Sequence, residues 1–252
     1  MILPTDTLMI IAAPFIGSFL ATLACRMPVG APIILGRSAC LTCKSSLTPL
    51  SMIPLISWLV QRGRCSHCHG RISATYPLTE LSAVLMAIWA VWALASAPTW
   101  LQAATCLLGW SLLALSVIDL RHFILPDALT LPLAAAGLLV TFLLDPSQLQ
   151  LHLAASLAGF GVMALLNCVY RKISGHDGLG LGDAKLLGAG GAWVGFSGLA
   201  GIVFIASIAA LAWVLVQGAK GRRFSAQAPI AFGPFLSLGI WIVWLYGPLN
   251  FG

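Results

Sequence analysis

No charged residue occurs between positions 81 and 118, and a second uncharged stretch covers positions 186–219. About 20 apolar residues are enough to cross the hydrocarbon core of a bilayer as an α-helix. Charged residues make up 8% of the chain, against about 25% in an average soluble domain. The chain is therefore predicted to be an all-α polytopic membrane protein.

The uncharged stretches mark the predicted membrane spans. The stretch at 186–219 is too long for one span, and we expect it to cross twice, with a turn near positions 196–198. The prediction is about eight transmembrane helices. Stretches of single-span length lie at 8–25, 78–97, 100–118, 128–144, 151–170 and 228–246.

The basic residues favour two crossings for the long stretch. With two crossings, all 13 Lys and Arg residues lie on one side of the membrane; with one, Lys220, Arg222 and Arg223 lie opposite the rest. Basic loops are retained in the cytoplasm, so both termini are expected outside. Asp6 and Asp145 are then the only acids on the outer side. Because topology explains the net charge of +6, we expect no nucleic-acid partner.

One sizeable polar segment, positions 26–77, separates the first two spans and is called the insert below. It contains Cys40-Leu-Thr-Cys43 and Cys65-Ser-His-Cys68. Two Cys-x-x-Cys pairs can supply four thiolates to zinc, and a reducing cytoplasm disfavours disulfides. We predict a structural zinc site, with four incidental or redox-active thiols as the alternative.

Other potential metal ligands have simpler explanations. His67 and His69 flank the second cysteine pair, and we expect them on the surface because four sulfurs are already available. Three further cysteines lie in or beside apolar stretches and are predicted to be packing residues. These are Cys25, Cys106 and Cys168.

Two acidic residues stand at the edges of long apolar stretches. Asp119 follows the first uncharged stretch, and Asp183 closes Gly178-Leu-Gly-Leu-Gly-Asp183. Ionisable residues at membrane depth cost about 2.5–3.5 kcal/mol each on insertion scales and so mark function. Two carboxylates that meet can share a proton and activate water. We predict Asp119 and Asp183 as a catalytic pair, with the alternate glycines leaving room for an extended substrate backbone.

Neighbouring polar residues are assigned to structure first. Asp127 follows a proline and opens a predicted helix, so it is expected to stabilise the first turn, with a catalytic role in place of Asp119 as the alternative. Asp177 is expected to be solvated. Lys185 and Arg121 lie close in sequence to the two predicted catalytic acids and are candidate partners for them. A simpler role for Asp183, capping the next helix, stays open.

Five blocks follow one another along nearly the whole chain, and together they are far more specific than a single Gly-x-Gly-Asp run. They are Gly17-Ser-Phe-Leu20 with Arg26-Met-Pro28; the cysteine pairs with Ile53-Pro-Leu-Ile-Ser-Trp-Leu59, Arg62-Gly-Arg-Cys65 and Tyr76-Pro-Leu-Thr-Glu80; Asp119 through Leu125-Pro-Asp127; Gly180-Leu-Gly-Asp183; and Ala231-Phe-Gly-Pro-Phe-Leu236.

With these blocks the chain resembles the bacterial type IV prepilin peptidases, aspartic proteases of the inner membrane that also serve type II secretion pseudopilins. The resemblance implies eight transmembrane helices, catalytic residues Asp119 and Asp183, and cleavage of basic leader peptides on the cytoplasmic face. Both termini would then be periplasmic. Expected partners are prepilins or pseudopilins and membrane lipid. Expected domains are a first transmembrane helix (1–25), the zinc-binding insert (26–77) and a seven-helix peptidase core (78–252).

The resemblance also implies methylation of the new N-terminus with S-adenosylmethionine. Glu80 is the candidate cofactor-binding residue, although stabilising the N-terminus of a helix is a simpler role for it. Three positions depart from the family pattern. They replace neither the aspartates nor the cysteines, and they lie in regions that the resemblance associates with methyl transfer, so they bear on this second activity. They are Ala21, Leu41 and Met52.

Two functions other than proteolysis are alternatives for a chain with these features. An ion-coupled transporter would carry acids within its spans and an inverted repeat, and it gives no role to the insert. A zinc-stabilised membrane scaffold without catalysis would tolerate replacement of both aspartates. The placement of the acids at the edges of spans favours the protease.

Overall fold

A computed structural model of the chain describes residues 4–30, 39–40, 42–174, 180–221 and 230–248. The described residues form helices and two isolated β-bridges, with no strand among them. Leu41, Asp177, Gly178, Arg222 and Arg223 lie outside this part. The helices are α1 (Pro4–Arg26), α2 (Ile56–Val60), α3 (Thr75–Ala93), α4 (Thr99–His122), α5 (Asp127–Leu144), α6 (Leu149–Ser174), α7 (Leu181–Ala219) and α8 (Gly233–Tyr246).

Six of the helices in the described chain are long and apolar enough to cross a membrane, namely α1 and α3 to α7. Helix α8 is also apolar but has 14 residues. Many large apolar side chains on these helices are exposed in the isolated chain, as expected where lipid replaces water. The all-α polytopic class predicted from the sequence is confirmed.

Helix α7 has 39 residues but breaks at Gly195, where φ is 67° and ψ is −170°. Its two limbs fold back on each other. A Cβ built on Gly190 would lie 3.0 Å from Cδ1 of Ile202, whereas twelve residues of straight helix would separate them by about 18 Å. Counting the limbs separately gives eight apolar helical segments in the described chain, in agreement with the predicted double crossing.

Side chains from α5 and α6 provide hydrogen-bond partners for a backbone carbonyl at the end of the first limb. His152 Nδ1 lies 3.0 Å from both the Ala192 carbonyl oxygen and Thr141 Oγ1. A Cβ on Gly195 would approach His152 Nε2 to 3.0 Å, and the positive φ there also favours glycine. Carbonyls released by a helix break need partners inside a membrane. This explains two polar residues to which the sequence assigned no role.

The chain divides into two compact units, Met1–Val117 and Ile118–Gly252. In the first unit α1 packs against α3. A Cβ on Gly17 would lie 2.6 Å from the Glu80 Cα, so glycine permits the close approach that membrane helices use for packing. The insert belongs to this unit. In the second unit α7 packs against α5, α6 and α8.

Candidate functional site

Asp119 lies in the last turn of α4 and is 5% exposed. Its Oδ2 accepts a hydrogen bond from the amide of Gly233, the first residue of α8, at 2.9 Å. The first amides of a helix have no partner within the helix and favour a negative charge. Oδ1 has no hydrogen-bond partner among the described residues, so one oxygen orients the carboxylate and the other is free for chemistry.

Asp183 lies in the first turn of α7 and is 9% exposed. The Gly180 amide donates to Asp183 Oδ2 at 3.2 Å, and the Asp183 amide donates to the Gly180 carbonyl at 3.1 Å. This reciprocal arrangement is a helix cap. The capping role that the sequence left open is therefore real, but it uses a single oxygen of the carboxylate.

Both aspartates line one cavity of about 260 Å³, and their charges interact. Two interacting carboxylates that are largely shielded from water cannot both be ionised cheaply, which favours one shared proton. The structure thus brings together the two acids that the sequence predicted as a pair. The rest of the lining is Phe123, Ile124 and Leu125 from the loop after α4, with Gly180, Leu181, Gly182 and Lys185.

Glycines at this cavity permit close packing between helix ends. A Cβ on Gly182 would lie 2.9 Å from the Leu125 Cβ, and a Cβ on Gly233 would lie 2.8 Å from Asp119 Oδ2. Gly182 is helical, and Leu125 fills the space beside it. The interpretation of alternate glycines as room for an extended substrate is therefore wrong for Gly182.

Lys185 pairs with Asp127 rather than with either predicted catalytic acid. Its Nζ lies 2.5 Å from Asp127 Oδ1, and both side chains are partly exposed. Asp127 is the first residue of α5, which confirms its predicted place in a first turn. Exposed ion pairs contribute about 0–1 kcal/mol, so this one holds α5 near the start of α7 without dominating the stability of the unit.

Glu80 joins the first two of the sequence blocks within the first unit. It lies beyond the first turn of α3 and is 5% exposed, so stabilisation of the helix N-terminus does not account for it. Its Oε2 accepts a hydrogen bond from the Leu55 amide at 2.7 Å, and the Ser18 side chain also bonds to the carboxylate. Leu55 has φ 61°, a conformation that costs of order 1–3 kcal/mol and persists only where its surroundings hold it.

The four cysteine sulfurs of the insert lie within 4.8 Å of one another. The Sγ atoms of Cys40 and Cys68 lie 3.8 Å apart, about the spacing in a tetrahedral zinc site with 2.3 Å bonds. Both His67 and His69 are exposed and outside the cluster, as expected. This group can hold a metal ion. Its members are Cys40, Cys43, Cys65 and Cys68.

The same backbone hairpin carries each cysteine pair. The first cysteine's amide donates to the carbonyl five residues later, and the residue after the second cysteine donates back to the first, at 2.9–3.0 Å. That residue has a left-handed φ in both hairpins, 60° at Lys44 and 56° at His69. Hydrogen bonds from the backbone of Cys43 and Thr42 lower the pKa of the Cys40 thiol to about 6. They therefore favour the thiolate at Cys40, whereas desolvation and the neighbouring thiols raise the pKa of Cys68 to about 11, so a metal ion would have to displace the proton of that thiol.

Comparisons with known proteins match most of the chain. The model of the bacterial peptidase A24 N-terminal domain matches residues 11–94, and that of the type IV leader peptidase family matches residues 106–215. The cysteine cluster and Glu80 fall in the first match, whereas Asp119 and Asp183 fall in the second. No solved structure matches significantly.

Several relatives carry the name prepilin leader peptidase/N-methyltransferase. The protein from Aeromonas hydrophila is 40% identical over 215 residues, which cover 85% of this chain and 73% of that protein. Its counterpart in Stutzerimonas stutzeri is 35% identical over 87% of this chain and 76% of its own length. The Pseudomonas aeruginosa protein is 35% identical over 216 residues, which cover 85% of this chain and 73% of that protein.

Proposed function

The chain belongs to the type IV leader peptidase family, and from that premise we propose that it is a membrane aspartic endopeptidase. Its substrates are type IV prepilins or type II secretion pseudopilins, from which it removes the leader peptide. One observation carries the proposal: two buried acids, Asp119 and Asp183, line a single cavity. Both lie in the segment that the peptidase family model matches.

The chemistry follows from the two carboxylates. The amides of Gly233 and Gly180 hold one oxygen of each acid, so the remaining oxygens can face a water molecule and the scissile carbonyl. The ionised acid takes a proton from the water as it attacks the carbonyl carbon, while the protonated acid donates to the carbonyl oxygen. Collapse of the tetrahedral intermediate breaks the C–N bond, and the proton taken from the water passes to the leaving amine. Asp119 and Asp183 titrate as one unit.

Charge at the helix ends supports a cytoplasmic position for the cavity. Because consecutive spans alternate in direction and α7 folds back, the ends that carry basic residues in the second unit share the side of Asp119 and Asp183. Asp145, between α5 and α6, falls on the opposite side. Basic ends remain in the cytoplasm, so we assign the chain to the inner membrane with both termini periplasmic. The basic residues are Arg121, Arg171, Lys185 and Lys220.

The entrance of the cavity suits a substrate with a basic leader and an apolar helix. Phe123, Ile124 and Leu181 of the lining are exposed, so they can contact the apolar segment beside the cleavage site. A basic leader would stay on the cytoplasmic side while the helix that follows it enters the bilayer. The scissile bond would then lie at the level of the two acids.

A second activity, N-methylation of the new N-terminus with S-adenosylmethionine, belongs to the same proposal. Relatives named prepilin leader peptidase/N-methyltransferase align with most of the chain. Glu80 is the residue that we assign to cofactor binding. Zinc held by the four thiolates would supply folding energy to the insert rather than chemistry. The proposed domain organisation has three segments: a first transmembrane helix (1–25), the zinc-binding insert (26–77) and a seven-helix peptidase core (78–252).

Purified protein incubated with a prepilin, with and without S-adenosylmethionine, tests both activities. Product masses should show loss of the leader in both reactions and one added methyl group only with the cofactor. An intact prepilin would contradict the peptidase assignment. Cleaved but unmethylated product would restrict the proposal to proteolysis and direct attention to Ala21 and Met52, which depart from the family pattern.

A further inference from the structure

The short helix α2 of the insert presents an apolar face that no described residue covers. Ile56, Leu59 and Val60 are 59%, 66% and 77% exposed, and their spacing puts them on one face of a helix. Leu50 and Met52, in the turn that precedes α2, are also exposed. Clustered exposed apolar residues of this size mark an interaction surface.

Contacts within the first unit put this face at the depth of the membrane. The residue before α2, Leu55, donates its amide to Glu80, in the second turn of α3. The backbone of Glu80 packs in turn against Gly17 of α1. Helix α1 continues to Arg26, about 13 Å further along its axis. Leu81 beside Glu80 is an exposed apolar residue of α3, and both α1 and α3 are apolar enough to cross a membrane, so α2 begins beside the apolar part of both spans.

The surface next to this face is strongly basic. No acidic residue occurs between Asp6 and Glu80, and Arg62 and Arg64 directly follow α2. With Gln61, Ser66 and His69, among others, these arginines line an open polar cavity of about 600 Å³. A zinc ion bound to four thiolates would offset about two positive charges. Six basic residues belong to the insert: Arg26, Arg37, Lys44, Arg62, Arg64 and Arg71.

We propose that the insert docks on anionic phospholipid of the chain's own bilayer. The apolar face of α2 enters the interfacial layer, while Arg62 and Arg64 bind lipid phosphates. An apolar surface combined with a basic patch is the two-part signal that holds a segment at a membrane surface. Each basic residue near an anionic surface strengthens binding about fivefold.

Other occupants fit the surface less well. A basic prepilin leader would be repelled by the arginines, and a second copy of the chain would bring like charges together. An acidic protein partner would satisfy the arginines but would not reach an apolar face that starts at membrane depth. Lipid satisfies both features, because its acyl chains can contact the apolar face while its phosphate pairs with the arginines.

Photo-cross-linking of the full chain in nanodiscs tests the proposal. A benzophenone amino acid replaces Leu59 in one sample and the exposed Ser46, on the first cysteine hairpin, in a matched control. In discs of phosphatidylethanolamine and phosphatidylglycerol, the probe at position 59 should cross-link to lipid and the control should not. The combined change Arg62→Asn and Arg64→Gln should lower that yield about 25-fold, since each arginine contributes about fivefold. Discs of phosphatidylcholine should show no effect of the arginine changes.

Three results would overturn the proposal: equal lipid labelling from positions 59 and 46, a yield that does not depend on lipid charge, or cross-linking from position 59 to a second copy or to added prepilin. Zinc content reports separately on the fold of the insert. Leader cleavage in detergent should match the wild type, because neither arginine belongs to the cavity of the aspartates. A failed docking test therefore leaves the peptidase assignment intact.

Discussion

The cysteine cluster of the first unit and the acidic cavity of the second unit both gather reactive side chains, but they do so in opposite ways. Each cysteine pair is shaped by hydrogen bonds that span five residues at most. The bond that orients Asp119 joins residues 114 positions apart. The cluster is thus assembled by local hairpins into a group that can hold a metal ion, whereas the cavity exists only when α4, α7 and α8 have packed. Damage to one site should leave the other intact.

The largest effect is expected from the acidic pair. Asp119→Asn and Asp183→Asn should each lower leader cleavage on the order of 10⁴-fold, because an amide cannot accept and return the proton of the attacking water. The double variant should be scarcely worse, since the two acids act as one unit. A prepilin cleavage assay measures this, and zinc content should stay unchanged.

Two controls accompany the acidic pair. Asp127→Asn removes an exposed ion pair with Lys185 and should keep substantial activity. Asp177→Asn, at a position expected to be solvated, should also keep it. Near-normal turnover by either Asp119→Asn or Asp183→Asn would remove the aspartic mechanism.

Loss of the metal is the next largest effect. Replacing Cys40 and Cys65 with Ser should reduce zinc from about one ion per chain to none, because each hairpin loses a thiolate. The insert should become sensitive to proteases while leader cleavage persists in part. Metal analysis with limited proteolysis checks this; protein that is free of metal yet fully folded and active would contradict the zinc site.

A smaller effect tests the packing that supports Asp119. Gly233→Ala places a methyl group 2.8 Å from Asp119 Oδ2 and should lower cleavage about 10²-fold by displacing the carboxylate. Gly161→Ala, where an added Cβ meets nothing within 4 Å, is the matched control and should behave as the wild type. Equal activity of the two variants would show that the close packing at Gly233 is not what positions Asp119.

The smallest effect separates the two proposed activities. Glu80→Gln keeps an oxygen for the Leu55 amide but replaces a charged acceptor with a neutral one, which weakens the bond by about 1 kcal/mol. Methylation should fall roughly fivefold while leader removal is largely kept. Product masses report both activities, and an equal loss of the two with stable insertion would argue against separate sites.

Local sequence patterns predicted much of this molecule. Apolar stretches predicted the helices, and the distribution of basic residues predicted the break in α7, found at Gly195. The spacing of the four cysteines predicted the cluster, because a Cys-x-x-Cys turn is closed by bonds between near neighbours. The two acids were found because charge is rare at the edges of apolar runs.

Contacts between distant residues were not predicted. The late motif that contains Gly233 has no role that can be read from the sequence. Nothing in the motif indicates that the Gly233 amide holds Asp119. Likewise, Lys185 was expected beside a catalytic acid but pairs with Asp127, and the bond between Leu55 and Glu80 was missed.

The sequence by itself determined the membrane class, the helical segments, the family and the residues able to do chemistry, since these depend on composition, period and short spacings. Only the tertiary structure decided which carboxylate oxygens are held, which are free, and which glycines make room for a neighbour rather than for a substrate. Those features arise where helix ends from distant parts of the chain meet, and helix packing, rather than any local preference, sets their distances.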